Sequence, residues 1–212
     1  GARDLTLNHS IHGPGHEFPQ HTHDDTEDVF IILEGGVSVR QGDVYSPISA
    51  GEAAFIPARE VHGTVNTTDA PARLISFQSP PDMALYRGER NKADSETPKP
   101  PAGHESGVQI ITLARGGPVF GRKGNWRCVT SRQNGARYLR VHYIQVGPDE
   151  GFEHEPEDGE TAYVVLSGLV SVTHNGATSR LQAEDVLFLQ AGERVSLNID
   201  EPTVLIRTQA MK

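Results

Sequence analysis

The stretch QHTHDDTEDVF, residues 20–30, sets two histidines one residue apart, just ahead of several carboxylates and an apolar run. On a β-strand, His21 and His23 would project from the same face, roughly 6.6 Å apart along the strand. The DDT segment would turn the chain into a second strand that begins near Glu27, and His62 would begin a further strand after a proline-containing turn. The predicted ligands of one metal ion are therefore His21, His23, Glu27 and His62.

Three neutral imidazoles and one carboxylate would leave a divalent ion with a net charge near +1. Nitrogen and oxygen ligands suit Fe, Mn, Ni, Cu or Zn and do not suit Ca. On an octahedral ion, four protein ligands leave two adjacent positions for water, substrate or dioxygen, whereas tetrahedral zinc would be closed. Because the imidazoles must be neutral and their reference pKa is about 6.5, we expect the ion to be lost between roughly pH 6 and pH 4.

Other polar side chains near this pattern are predicted to lie outside the ligand set. An isolated pair of histidines at this spacing is usually a polar loop, and only the four-residue pattern favours a metal site. Solvated or outer-sphere roles are expected for His9, His12 and His16. Surface charges of the turn are expected at Asp24, Asp25 and Asp28. Candidates to line the adjacent pocket are Tyr45, Phe55, Arg59, Arg73 and Gln78.

The chain repeats itself. The segment IHGPGHEFPQHTHDDTEDVFIILEGGVSV, from Ile11, aligns without a gap with IQVGPDEGFEHEPEDGETAYVVLSGLVSV, from Ile144. Further on, AGEAAFIPAREV matches AEDVLFLQAGERV, and both halves close with similar segments, PARLISFQ and PTVLIRTQ. Three matches in the same order indicate a duplicated domain.

The second copy has lost half of the predicted ligand set. His154 and Glu160 occupy the positions of His21 and Glu27, but Pro156 and Val195 replace the other two histidines. Proline and valine cannot coordinate a metal ion, so we expect the second copy to bind none.

Short Val, Ile, Leu and Phe runs, broken by Gly, Pro, Asn and Asp, predict an all-β protein. One of these breaks, Asn175-Gly176, is a strong hairpin signal. Residues 81–106 are rich in proline and charge and are predicted to be a linker. We therefore expect two tandem jelly-roll β-barrels, residues 1–80 with the metal site and residues 107–212 with a degenerate one.

The pattern H-x-H-x3-E-x7-G, with Gly15 six residues before the first histidine, resembles motif 1 of the cupin family. Gly51, Pro57, His62 and Asn66 stand at spacings similar to those of cupin motif 2. The resemblance covers both halves, so the chain resembles a bicupin. It implies a small-molecule substrate in the barrel and a homodimer, and it gives Glu27 a role as catalytic base in isomerase or lyase chemistry.

The formal net charge of −9 disfavours nucleic acid and anionic membranes as partners. The N-terminal residues do not resemble a signal peptide, and the single cysteine, Cys128, favours a reducing cytoplasm. Two function classes stay open. The first is a metal-dependent enzyme acting on a small oxygen-rich molecule, either a dioxygenase with iron or an isomerase or lyase with Mn, Ni or Zn. The second is a non-catalytic small-molecule-binding protein.

Overall fold

The structure is a computed structural model and describes residues 2–89 and 99–212. It divides into an N-terminal unit, residues 6–112, and a C-terminal unit, residues 1–5 together with 113–212. The predicted linker overlaps residues 90–98, which lie outside the described part, and its limits stay a prediction. Residues 109–112 belong to the N-terminal unit.

The N-terminal unit is built from two antiparallel sheets. A five-stranded sheet has the order β1-β8-β3-β6-β9, and a four-stranded sheet has the order β2-β7-β4-β5. One short helix, α1, Met83–Tyr86, follows the last long strand. The strands are β1 Thr6–His12, β2 Glu17–His21, β3 Glu27–Glu34, β4 Gly36–Gln41, β5 Val44–Ser49, β6 Glu52–Ile56, β7 His62–Val65, β8 Ala72–Ser79 and β9 Gln109–Thr112.

The C-terminal unit repeats this arrangement with two sheets of order β10-β11-β12-β19-β14-β17 and β13-β18-β15-β16. Two short 3-10 helices, Leu113–Arg115 and Arg132–Asn134, flank its first strands. The strands are β10 Gly117–Pro118, β11 Asn125–Thr130, β12 Leu139–Val146, β13 Phe152–His154, β14 Thr161–Ser167, β15 Leu169–His174, β16 Ala177–Gln182, β17 Val186–Leu189, β18 Val195–Ile199 and β19 Thr203–Ala210. The all-β prediction with two jelly-roll units is confirmed.

Each unit has its own apolar core, because alternate residues of its strands face inward. In the N-terminal unit, Phe30 and Ile32 of β3 pack with Val37 and Val39 of β4 and with Leu74 of β8. In the C-terminal unit the core includes the single tryptophan. Trp126 is 4% exposed. In the part of the chain that the structure describes, no helix is long and apolar enough to cross a membrane.

Turns close these strands as the sequence predicts. Asn175 and Gly176 join β15 to β16, both with positive φ, of 50° and 80°. Two positive φ values in succession are what a tight two-residue hairpin needs to match the twist of its strands.

Candidate metal centre

Three histidines and one aspartate meet inside the N-terminal unit. One potential ligand atom from each of His21, His23, Asp28 and His62 lies within 4.8 Å of all the others, and all four side chains are buried. The closest pairs are His21 Nε2 to His23 Nε2 at 3.1 Å and His62 Nε2 to Asp28 Oδ2 at 3.0 Å. His23 Nε2 is also 3.1 Å from Asp28 Oδ2.

Strand pairing brings the imidazoles together. In the β2–β7 ladder, a register shift after Phe18 sets His21 directly opposite His62. The shifted backbone passes so close to Gly63 that a Cβ there would stand 2.7 Å from the carbonyl oxygen of Phe18. Only glycine fits so close to this backbone. Gly63 therefore permits the pairing of β2 with β7 that holds the preceding residue, His62, in the site. β7 begins at His62, as predicted.

His23 reaches the same point from outside a strand. β2 ends at His21, so the prediction that both histidines lie on one strand is wrong. The segment after β2 is instead fixed by a hydrogen bond from Arg59 N to the carbonyl oxygen of His23, at 2.7 Å. β3 then begins at Glu27, as expected.

The carboxylate of the group is that of Asp28, where the sequence pattern pointed to Glu27. Successive residues of a strand project to opposite faces, so only one of these two neighbours can face the imidazoles. Asp28 is 1% exposed, and the prediction that it is a surface charge is wrong. Glu27 is also buried, at 2% exposure, but it is not part of the group. Read from Asp28, the pattern becomes H-x-H-x4-D-x6-G.

The ring nitrogens remote from the group have acceptors of their own. His21 Nδ1 lies 2.9 Å from the carbonyl oxygen of Pro19, and His62 Nδ1 lies 3.0 Å from that of Glu60. His23 Nδ1 lies 2.8 Å from Asp82 Oδ2. A carbonyl or carboxylate oxygen can only accept, so each ring carries a hydrogen on Nδ1, which leaves Nε2 as the nitrogen available to bind a metal ion.

Asp82 is a functional residue that sequence reasoning missed, because it falls in the predicted linker. Its Oδ1 accepts hydrogen bonds from Ala84 N and Leu85 N, both at 3.1 Å, which caps α1. Its other oxygen holds the His23 ring. A carboxylate behind a ligating imidazole is the usual support of a metal site, since it fixes the ring and raises its basicity. No local sequence signal marks this aspartate.

The electrostatics of the group favour a cation at its centre. Burial is the main cause that lowers the pKa of His21, to about 3, and the neighbouring His62 lowers it further. Burial also acts to lower the pKa of His23, but contacts with Asp28 and Asp82 outweigh it and the pKa is raised. For Asp28, burial acts to raise the pKa, yet hydrogen bonds from His23 and His62 hold it below its ordinary range.

The residues fit a first-row transition ion. Two ligands at right angles, each about 2.1 Å from one ion, stand about 3 Å apart, and this is the spacing of the nitrogen and oxygen atoms here. Asp28 Oδ1 is buried without a hydrogen-bond partner, so this oxygen is available to bind a metal ion as well.

A cavity of about 440 Å³ opens beside this group. His21 and Asp28 form part of its wall, and further side chains of β1, β2, β3, β7, β8 and α1 form the rest. Of the five side chains predicted to line a pocket, Gln78 does so. Phe55 is fully buried in the core, and Tyr45 is 47% exposed. The Arg59 guanidinium is exposed as well and faces Asp25.

The corresponding position of the C-terminal unit has other contacts. His154 Nδ1 lies 3.1 Å from the hydroxyl of Tyr163, and Val195 pairs with His154 as His62 pairs with His21. Both oxygens of Glu160 accept backbone N–H groups at the start of the chain, including Arg3 N at 2.8 Å. Glu160 therefore serves to fix the N-terminal segment.

Comparison with known proteins identifies the first of these units. Residues 9–77 match the family model of the cupin domain, Cupin_2. Mannose-1-phosphate guanylyltransferase RfbM of Salmonella typhimurium is 32% identical over 76 residues, which is 36% of this chain. The match spans 15% of the length of that relative.

Among solved structures, protein Ylba from E. coli superposes with a TM-score of 0.74 at 10% identity, over 98% of this chain and 77% of its own. Salicylate 1,2-dioxygenase from Pseudaminobacter salicylatoxidans superposes with a TM-score of 0.73 at 18% identity, over 98% of this chain and 71% of its own. At such identities the likeness shows the fold alone. Residues 9–77 thus match the cupin domain model, and the chain shares its fold with these solved structures.

Proposed function

We propose that the N-terminal unit binds one divalent transition metal ion and catalyses a reaction of a small, oxygen-rich organic molecule in the adjoining cavity. The proposed ligands are His21, His23, Asp28 and His62. The observation that carries the proposal is the convergence of three Nε2 atoms on Asp28 while every Nδ1 has an acceptor elsewhere. That arrangement presents lone pairs to one buried point, as a metal site requires.

Dioxygenase chemistry with iron is the reaction class we favour. When bound, iron would supply the activation of dioxygen, and both oxygen atoms would enter the product, so no further oxidant is needed. The fold shared with a salicylate dioxygenase supports this choice. The protein's own residues fix the ion, exclude bulk water from a buried pocket and orient the substrate against it.

An isomerase or lyase with Mn, Ni or Zn is the second candidate, and one feature of Asp28 favours it. Asp28 Oδ1 is buried, has no partner and lies on the cavity wall, where it could accept a proton from a bound substrate. In this version Asp28 takes the role of base that the family resemblance gives to Glu27.

The experiment is metal analysis of the full chain purified without added metal, followed by oxygen uptake with a panel of diols and hydroxy ketones. We expect close to one equivalent of a transition ion, and oxygen uptake if the ion is iron. Turnover without oxygen uptake would favour the isomerase or lyase. Binding without turnover on any substrate would favour a binding protein, and less than a tenth of an equivalent after reconstitution would count against every metal-dependent version.

Matched variants at neighbouring positions decide which carboxylate is the ligand. Asp28→Asn should weaken metal binding at least about 10-fold, since it removes the charge of a ligand. Glu27→Gln, one residue earlier and equally buried, should retain the ion in its folded fraction. Loss of the ion in Glu27→Gln but not in Asp28→Asn would show that Glu27 is the ligand, as the sequence pattern predicted.

Three expectations remain predictions alongside this proposal. They are a homodimeric assembly, a cytoplasmic location and the lack of a nucleic-acid partner. Size-exclusion chromatography with light scattering tests the first of them directly.

A further inference from the structure

The two units differ at one edge of their larger sheets. In the C-terminal unit, β11 pairs with β12 and sets Trp126 opposite Ile144. The strand of the N-terminal unit that is equivalent to β12 is β1, because Ser10 pairs with Leu74 as Ile144 pairs with Leu205, and these leucines match in the repeat. β1 is the last strand of its sheet. Among the described residues, the N-terminal unit therefore has no strand at the place of β11.

Trp126 of β11 fills a pocket in the C-terminal unit. It is 4% exposed, and its ring meets the Phe152 ring edge-on, with the ring centres 5.1 Å apart. Its indole nitrogen donates a hydrogen bond to the carbonyl oxygen of Lys123, at 2.9 Å. Leu197 and Leu205 belong to the same apolar core. An indole held in this way buries a large flat surface and satisfies its single polar atom.

The equivalent positions of the N-terminal unit line the cavity beside the metal group. Phe18 pairs with Thr64 as Phe152 pairs with Leu197, so the two phenylalanines are equivalent. The cavity wall includes four residues whose equivalents surround the indole, namely Ser10, Phe18, Thr64 and Leu74. The cavity therefore lies at the place that Trp126 fills in the C-terminal unit.

Phe18 also lies beside the metal group. Its ring meets the ring of His21 edge-on, with the centres 5.1 Å apart. Phe18 is 41% exposed, so its ring has area left for a ligand to cover, and its backbone is fixed by close packing against Gly63. A molecule that chelates an ion held by His21 would bring the atoms next to its chelating group against Phe18.

The wall of this cavity is more polar than the wall around Trp126. Ser10 and Thr64 stand where the C-terminal unit has Ile144 and Leu197. Hydroxyl groups both donate and accept hydrogen bonds, so they suit a ring that carries polar substituents. The cavity therefore combines an aromatic contact surface with hydrogen-bonding groups beside the metal group.

We propose that the substrate of the N-terminal unit carries an aromatic ring with oxygen substituents, and that this ring packs edge-on against Phe18. The position is the one that the indole of Trp126 takes against Phe152. Aromatic contacts of this geometry contribute beyond the apolar area that they bury, so an aromatic ring is preferred to a saturated ring of similar size. The inference rests on the proposed metal site and goes further by naming the ring and the residue that selects it.

The test uses three hydroxamates, which share one chelating group of two adjacent oxygens and differ in the attached methyl, cyclohexyl or phenyl group. Binding to the metal-loaded full chain is measured without oxygen by calorimetry, and the visible spectrum of the cobalt-loaded protein reports coordination. We expect benzohydroxamate to bind at least about 10-fold more tightly than acetohydroxamate and about 3-fold more tightly than cyclohexanecarbohydroxamate. A phenyl compound that binds no more tightly than either of the others, or no binding of any at millimolar concentration, would overturn the inference.

Variants connect the preference to its residue. Phe18→Leu keeps an apolar side chain but removes the ring. It should weaken benzohydroxamate binding about 3- to 10-fold and leave acetohydroxamate binding and metal content unchanged. Phe152→Leu is the matched control in the C-terminal unit and should leave the binding of all three compounds unchanged. Undiminished benzohydroxamate binding by Phe18→Leu, or an equal loss for acetohydroxamate, would refute the role of Phe18.

A second variant covers the case in which Phe18→Leu does not fold. Ser10→Phe places a bulky side chain in the cavity at the edge of β1, so it should exclude the phenyl compound while the methyl compound still binds. Benzohydroxamate affinity of Ser10→Phe equal to that of the unaltered protein would contradict the location of the ring. Failure of the unaltered protein to bind metal would instead refute the proposed function, which metal analysis reports before any hydroxamate is added.

Discussion

The two units place different polar groups inside a similar framework of strands. In the N-terminal unit, β7 and β3 present His62 and Asp28 to one buried point. In the C-terminal unit, the corresponding positions are Val195 and Thr161. There the buried positive charge is Arg207, 5% exposed, whose Nη2 lies 2.8 Å from Glu157 Oε1. The framework thus tolerates the exchange of three of the four groups, since His154 keeps the position of His21.

The difference shows that the fold is specified by positions other than those of the site. Core strands in both units retain their apolar inward faces, while the polar interior of each has its own partners. Arg207 contacts His142 and lies 6.0 Å from the centre of the Tyr163 ring. The guanidinium stays protonated and its N–H groups are already directed at Glu157, His142 and Gln209, so we expect its role to be structural.

The largest expected effect comes from making the first unit resemble the second. His62→Val removes one of four ligands and should weaken metal binding at least about 100-fold, more than the loss of a supporting group costs. Metal content after dialysis and titration with a competing chelator measure this effect. Val195→Ala, the matched position, should lower the melting temperature and leave metal content unchanged.

A nearly equal effect is expected from replacing Arg207, the buried arginine of the C-terminal unit. Arg207→Met breaks a buried ion pair and should lower the free energy of unfolding by about 2–4 kcal/mol, somewhat below the range for fully buried pairs because Glu157 is 29% exposed. Urea denaturation of the full chain measures it. Arg194→Ala breaks the exposed pair with Glu155 and should cost less than about 1 kcal/mol. Similar losses in both variants would contradict a structural role for Arg207.

The third prediction concerns the support of His23. Asp82→Asn keeps an oxygen to cap α1 but weakens the charged contact with the imidazole, so metal affinity should fall about 10- to 100-fold while the fold persists. Asp25→Asn, an exposed aspartate in the turn before β3, is the control and should have no effect. Equal metal affinities of the two variants would show that Asp82 does not support the metal site.

The last expected effect, about 1 kcal/mol for each unit of pH, is a pH dependence of stability in the C-terminal unit. Burial, with Arg207, Arg140 and Arg122 nearby, lowers the pKa of His142 to about 3. The unfolded state therefore binds a proton near pH 6.5 that the folded state takes up only near pH 3. The stabilisation is present above pH 6.5 and declines as the pH falls, by about 1 kcal/mol per pH unit.

His142→Gln keeps a hydrogen-bond acceptor near Arg207 and does not titrate. Its free energy of unfolding should therefore vary less between pH 7 and pH 4 than that of the unaltered protein. Urea denaturation across this range provides the comparison, and parallel pH profiles would show that His142 makes no contribution.

The sequence alone determined the fold class and indicated three of the four side chains of the candidate metal group. Apolar runs of strand length, separated by turn residues such as Asn175-Gly176, specify β-structure locally. The spacing of His21, His23 and His62 indicated a metal site because few other roles need three imidazoles in that order. These features can be predicted from the sequence because they depend on residue type and short-range periodicity.

Only the tertiary structure decided which carboxylate joins the imidazoles and which groups support them. Glu27 and Asp28 are adjacent, and a shift of one residue in strand register exchanges the faces they present, so the pattern could not choose between them. Asp82 and Gln78 lie far from the motif in sequence and reach the site through chain packing and the pairing of β8 with β3. Contacts between distant segments depend on the whole chain, and no local pattern records them.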